Sequence, residues 1–246
     1  MNKEYVQQYV QLEKAHWWFV VRQKIILYFL HKHIKGSSLK ILNIGAAGGA
    51  SSKWLQEFGE VVSVENESFF IDHLRSEGMN VTDASIISMP FPDNSFDLVC
   101  AFDVIEHVEQ DDVALKEINR VCKSHGTVCI TVPAFQSLWS NHDVVNRHFR
   151  RYKKKELHKR IETVNGLSIK EMAYFNSLLF LPIFVARRVG PIFSSRKEDR
   201  SDFELYKTSS LLNGILKAVF SFEQSLLKKI SFPFGVSLIC VLRKTA

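Results

Sequence analysis

From residue 39 onward, short apolar runs alternate with stretches whose apolar residues recur at helical spacing. Leu39–Ile44, Val61–Val64, Asn80–Thr82, Asp97–Phe102, Gly126–Val132 and Leu167–Tyr174 are runs of strand length. Apolar runs this short suit strands buried in a parallel sheet rather than helices. Helices are expected between them: one capped by Ser51 and Ser52 and running through Phe58, then Glu67–Glu77, Asp111–Val121 and Lys154–Val164. Gly166 breaks the last of these, and Pro133 ends the fifth strand. Strand and helix in alternation predict an α/β sheet with parallel strands. Ahead of this region, residues 4–35 read as one or two helices. Tyr5, Tyr9, Leu12, Trp17, Ile25 and Phe29 form a broad apolar stripe there, and Gly36–Ser38 is a hinge.

The alternation breaks after Phe175. Leu178–Ala186 is a run of nine uncharged residues around Pro182, followed at once by Arg187 and Arg188. A bilayer span needs about 20 apolar residues, so this run does not cross one. After a polar loop, Ser194–Ser201, the stretch Ser210–Ile230 is amphipathic. Leu212, Ile215, Leu216, Val219, Phe222, Leu226, Leu227 and Ile230 are expected on one face. Two readings stay open: packing on the sheet, or an interfacial anchor beside the two arginines. A final strand is expected over Gly235–Leu242.

Between the first two strands lies Gly45-Ala-Ala-Gly-Gly-Ala50, and Glu65 closes the second strand. Strand, small-residue turn, helix, strand and terminal acid make up the first half of a nucleotide-binding βαβ unit. Glycines let a backbone approach its ligand, and an acid twenty residues after Gly45 is placed to accept hydrogen bonds from ribose hydroxyls. The competing reading is a tight turn that binds nothing.

Composition is that of an ordinary globular chain, 46% hydrophobic and 24% charged. The net charge of +6 favours an anionic partner: nucleic acid, acidic lipid or a phosphorylated substrate. Much of the excess is local, in Arg147, Arg150, Arg151, Lys153, Lys154, Lys155, Lys159 and Arg160, which a solvated helix face would also explain. Of the four cysteines, Cys100, Cys129 and Cys240 fall within apolar runs and none forms a CxxC pair. Free buried thiols in a reducing cytoplasm are expected, with neither disulfides nor a metal site. Residues 1–14 are polar and of mixed charge, which does not match a signal peptide.

Later motifs sharpen the picture. Asp83-Ala84 follows the third strand. Met89-Pro-Phe-Pro-Asp-Asn-Ser-Phe-Asp-Leu-Val-Cys-Ala-Phe102 leads into Asp103-Val-Ile-Glu-His-Val108. Ala114-Leu-Lys-Glu-Ile-Asn-Arg-Val121 precedes Gly126-Thr-Val-Cys-Ile-Thr-Val-Pro133. In this order the stretches resemble class I S-adenosylmethionine-dependent methyltransferases, in particular the small-molecule branch related to quinone methyltransferases. His16-Trp-Trp-Phe19 and the 139–152 segment are similar to a bacterial subgroup linked to envelope or glycan biosynthesis. The chain departs from the family pattern at Asn43, where an acid is usual, and at Ala47, where glycine is usual. An alanine at 47 fits only a backbone that does not need positive φ.

The resemblance implies a Rossmann-like fold: a mostly parallel seven-stranded sheet with an antiparallel last strand. It implies one domain over 1–246, with an N-terminal helical cap (1–36), a core (37–174), a helical insert (175–231) and the last strand (232–246). S-adenosyl-L-methionine is the implied cofactor. Gly45, Ala46, Ala47 and Gly49 would pass beneath its methionine and ribose, and Glu65 with Asn66 would meet the ribose hydroxyls. Asp83 would accept from the adenine amino group with Ala84 flanking the ring, while Phe102 and Asp103 would line the methyl-transfer site.

On the acceptor side His142, Asp143 and His107 are the catalytic candidates, since imidazole is the natural base near neutral pH. His107 would equally brace its helix. Trp17, Trp139, His148, Arg150, Arg151 and Tyr152 are the substrate-contact candidates, although Trp17 and its aromatic neighbours also read as core. The function implied is methyl transfer to a small-molecule or lipid- or glycan-linked acceptor in the cytoplasm, with an anionic membrane surface as a candidate partner. The alternatives are a nucleic-acid methyltransferase using residues 147–160, an NAD-dependent oxidoreductase and a non-catalytic cofactor-binding protein. No recognised RNA-binding appendage accompanies the basic run. The oligomeric state stays open.

Overall fold

Seven strands form one sheet in the order β3-β2-β1-β4-β5-β7-β6. They are β1 (Leu39–Ile44), β2 (Gly59–Glu65), β3 (Val81–Asp83), β4 (Phe96–Phe102), β5 (Cys122–Pro133), β6 (Leu167–Phe175) and β7 (Ser237–Lys244). The computed structural model describes residues 3–36, 38–193 and 209–246. Pairing is parallel from β3 through β5, whereas β7 runs antiparallel to both β5 and β6. This is the sheet expected from the sequence, with the antiparallel strand inserted between its two predecessors.

Both faces are covered, which is why the strands read as continuous apolar runs rather than alternating ones. On β4, Val99 and Ala101 pack into one core with α5 (Asp111–Val121) and α7 (Lys154–Glu162). Leu98, Cys100 and Phe102 point the other way, into a core built on α2 (Trp17–His33) and the long helix Ser210–Leu227. The remaining helices are α1 (Lys3–Ala15), α3 (Ala50–Leu55), α4 (Ser68–Ser76), α6 (Asn141–Val145) and α8 (Phe180–Phe193); Ser210–Leu227 is α9. All four cysteines are buried free thiols.

Several expectations are corrected. Ser51 and Ser52 do not cap α3; Gly49 does, in the left-handed region at φ +87°, and the helix ends at Leu55. The two serines instead turn under the strand to meet Asn43. On α9 the inward face is Leu216, Phe220, Glu223 and Leu227, while Phe222 and Ile215 face outward. An acid can occupy that face because the Glu223 Oε2 accepts the backbone N–H groups of Ser177 and Leu178, at 2.7 and 2.8 Å. Arg187 and Arg188 on α8 donate to the Leu138 and Ser137 carbonyls, each at 2.8 Å, and so brace the loop after β5. The polar loop expected over 194–201 lies outside the described residues, as does Ser37 of the hinge. Among the described residues, no helix is long and apolar enough to cross a membrane.

Candidate functional site

The carboxyl ends of β1, β2 and β4 open into a cavity of about 850 Å³, walled on the far side by α1 and α2. Ligands of open α/β sheets sit at this end. At its floor the chain leaves β1 through Gly45, φ +69°, where a Cβ would lie 2.6 Å from Val104 Cγ2. Only glycine fits there. Ala47 adopts φ +45°, contrary to the expectation for an alanine, at a cost of about 1–2 kcal/mol. Its N–H donates to Glu65 Oε2 at 2.9 Å, which helps hold that conformation.

Glu65 is almost fully buried at the end of β2. Its other oxygen accepts the N–H groups of Asn66 (2.9 Å) and Glu67 (3.2 Å). A carboxylate has about four acceptor sites, so three amides leave capacity toward the cavity. Beneath the turn, the buried Asn43 amide donates to the Ser51 and Ser52 hydroxyls, both at 2.8 Å. A neutral side chain therefore ties strand to helix where the family usually has an acid.

Three cofactor candidates lie off the cavity. Gly49 faces α4, where its Cβ would meet Leu74 Cδ2 at 2.8 Å. β3 ends one residue later than expected, so Asp83 is still in the strand, paired with Glu65 and exposed. Ala84 follows it and packs on the core. The chain reaches the cavity only at Ser85, Ile86 and Ile87.

At the end of β4, Phe102 and Asp103 border the cavity, with Asp103 at φ +56°. Asp103 Oδ2 accepts from Arg22 Nη2 at 2.5 Å, and Arg22 also donates to Thr131 Oγ1 at 3.0 Å. The Arg22 guanidinium lies 4.8 Å from the Trp18 ring centroid and 5.8 Å from that of Phe102. Arg22, which no motif singled out, thus locks α2 onto the carboxyl ends of β4 and β5. Trp17 borders the cavity while packing on Phe220 at 5.7 Å.

The wall of the cavity expected to meet the acceptor is built by the segment from β5 to Tyr152. Asp143 is fully buried and accepts from Ser140 N–H (2.9 Å), Arg151 Nε (2.8 Å) and His148 Nδ1 (2.9 Å). Burial opposes its charge, but the His148 hydrogen bond and the Arg151 guanidinium win and hold the carboxyl well below its ordinary range. Asp143 therefore orients His148, five residues on, and not its sequence neighbour. His142 borders the cavity separately, with the Asn146 amide 3.2 Å from its Nδ1.

His107 stands edge-on to His148, ring centroids 4.6 Å apart. Burial, with His148 beside it, pulls the His107 imidazole down to about 4, so it is neutral at pH 7. Next to it Glu106 is fully buried, and neither carboxylate oxygen has a partner. Burial and the Asp103 charge push its carboxyl well above the ordinary range. Glu106 was missed because an acid inside the run Val104-Ile-Glu-His-Val108 reads as a helix-surface residue. The flanking apolar residues were the available sign that it is buried.

Trp139, Arg150 and Tyr152 do not border the cavity. Arg150 Nη1 and the Tyr152 hydroxyl are both taken by Asp111 Oδ2, at 2.8 and 2.7 Å, and Arg160 pairs with the other oxygen. Asp111 is fully buried at the start of α5, and a buried carboxylate without such donors would be costly. The basic run thus spends Arg150, Arg151 and Arg160 on internal acids, leaving less charge for a nucleic-acid backbone.

Residues 42–130 match the family model for a methyltransferase domain. An uncharacterized methyltransferase of Schizosaccharomyces pombe is 32% identical over 118 residues, 41% of this chain and 42% of that protein. The ubiquinone/menaquinone biosynthesis C-methyltransferase of Neisseria meningitidis is 35% identical over 108 residues, 40% of this chain and 44% of that protein. These matches span less than half the length of either relative. A SAM-dependent methyltransferase from Archaeoglobus fulgidus has a similar fold, with TM-score 0.61 at 17% identity, covering 96% of this chain and 99% of that one.

Proposed function

We propose that the chain is an S-adenosylmethionine-dependent methyltransferase acting on a small-molecule or lipid- or glycan-linked acceptor, with residues 1–246 working as one domain. The observation that carries this reading is the Glu65 carboxylate, held by three backbone amides beside the Gly45–Ala47 turn with acceptor capacity left over. The residues fit the cofactor: Gly45 to Ala47 offer a close backbone approach, Glu65 suits a ribose diol, and Ile86 and Ile87 supply an apolar edge for the adenine. When bound, the cofactor supplies a methyl group already activated by its sulfonium. Phe102, Trp17 and Trp18 exclude water from the cavity, and Arg22 fixes Asp103 where acceptor and methyl must meet; much of the catalysis is then proximity and orientation. His142 takes up the proton that the acceptor loses.

Calorimetry with S-adenosylmethionine tests the assignment. The wild type is expected to bind, and Glu65→Ala to bind roughly ten- to a hundredfold more weakly, the value of one or more hydrogen bonds to a charged group. NAD should not bind. No binding by the wild type, or equal binding by the variant, overturns the assignment. A non-catalytic cofactor-binding protein would give the calorimetry without any turnover.

The acceptor we favour is lipid- or glycan-linked and met at the inner face of a membrane. The motivating observation is an uncovered apolar surface on α8 and α9: Leu181 is 67%, Leu211 74% and Phe222 61% exposed. Flotation with anionic liposomes at low and high salt should carry the protein upward. Recovery in the soluble fraction at both salts would reduce this surface to ordinary exposed residues.

A further inference from the structure

We propose that Glu106, His107 and His148 bind one divalent transition-metal ion at the acceptor end of the cavity. One ligand atom from each lies within 4.8 Å of the others. An ion with ligand distances of about 2.0–2.2 Å gathers such a set through small side-chain rotations.

Three observations converge on this site. Glu106 is 0% exposed, and both its oxygens lack a partner although the side chain borders the cavity. A buried carboxyl left so is costly, and a bound cation removes that cost. His148 spends Nδ1 on Asp143, 2.9 Å away, which leaves Nε2 as the ligand atom. Asp143 is itself fixed by Arg151 and the Ser140 amide, the outer carboxylate that metal-bound imidazoles characteristically have. Finally, all three residues border the cavity, so coordination positions not filled by protein face the entering acceptor.

Two imidazole nitrogens and one carboxylate oxygen suit Zn²⁺, Mn²⁺, Fe²⁺, Co²⁺ or Ni²⁺ over Mg²⁺ and Ca²⁺, which prefer oxygen alone. Asp103, though nearby, is committed to Arg22 and is not counted as a ligand. Binding of the ion stands independently of the methyltransferase reading. Only its use rests on that reading: the open positions would hold an oxygen of the acceptor, which makes hydroxyl-bearing acceptors the class of choice.

The test uses the full chain stripped with EDTA and titrated with Co²⁺, followed by visible absorption and by metal analysis after dialysis. One Co²⁺ per chain is expected, displaced by Zn²⁺. Glu106→Gln and His148→Ala should weaken Co²⁺ binding at least tenfold, and Asp143→Asn by about ten- to a hundredfold through the imidazole it orients. His125→Ala, an exposed histidine elsewhere, should bind as the wild type does. Melting curves accompany each variant, and Glu106→Gln, nearly isosteric, serves where His148→Ala does not fold. A wild type that takes up no Co²⁺, or a folded Glu106→Gln that binds it equally well, overturns the site. S-adenosylhomocysteine binding on the same samples separates the two readings: its retention without Co²⁺ binding sinks the metal site alone, and the reverse sinks the proposed activity alone.

Discussion

Replacing His142 by alanine is expected to lower turnover by roughly 10²–10⁴-fold on any acceptor that supports it, the usual contribution of a general base. Cofactor affinity should stay unchanged, because His142 lies on the α6 side of the cavity, away from Gly45 and Glu65. The expectation follows from what the neighbouring groups already do. His148 is tied to Asp143 at 2.9 Å, and the His107 ring packs against it. His142 borders the cavity with its ring centroid 6.0 Å from that of His148, and imidazole is the side chain best suited to take up a proton near neutral pH. Product formation by mass spectrometry and cofactor binding by calorimetry measure the two halves. Unchanged turnover, or a loss that tracks a lower melting temperature, makes His142 structural.

The second large effect is on stability. Arg151 is 5% exposed, and its Nε holds the fully buried Asp143 at 2.8 Å while Nη1 donates to the Ala134 carbonyl. Arg151→Ala removes the charged partner of a buried pair and leaves Asp143 held only by the Ser140 amide and His148, which costs about 3–5 kcal/mol. The sign of the pH dependence follows from the depressed Asp143 carboxyl. Its contribution is complete above the unfolded value of about 3.9 and is lost as pH falls below that. Urea midpoints should therefore show the full deficit at pH 7 and a smaller gap between variant and wild type near pH 3.5. Lys155→Ala, on the exposed side of α7, should stay within about 0.5 kcal/mol. A deficit below about 1 kcal/mol at pH 7 would show that water or a neighbour replaces the guanidinium.

These two residues also mark where sequence reading stopped. The sheet was legible because a strand buried on both faces writes its burial as an unbroken apolar run, as Leu98–Phe102 does. The floor of the cavity was partly legible for a similar reason: the Gly45 turn and Glu65 lie within one local unit, although the cap of α3 between them is Gly49 rather than the serines. The wall formed by Arg22, Asp103 and the 134–152 segment depends on pairings between residues far apart in sequence. Arg22 reaches Asp103 across 81 positions and Tyr152 reaches Asp111 across 41, and no local pattern encodes either. Asp143 and His142 are adjacent in sequence, yet neighbours on a helix point in different directions. The loop after α6 brings His148 back instead. Glu223 was missed because the pattern of α9 was scored on apolar positions, while its inward face includes an acid that caps the chain after β6.

The placement of β7 between β5 and β6 has a consequence for the growing chain. Among the described residues, β6 hydrogen-bonds to no strand except β7. Ser237 lies 62 positions after Phe175, with 61 residues between them. At synthesis rates of about 5–20 residues per second, β6 waits roughly 3–12 s for its partner. During that interval the β5 edge that will receive β7 is also open, and both strands are apolar. Unpaired apolar edges are templates for pairing with other chains. The seconds before residues 237–244 arrive are thus the period in which a nascent copy is most open to capture by another, and in which chaperone binding to Leu167–Phe175 protects it most.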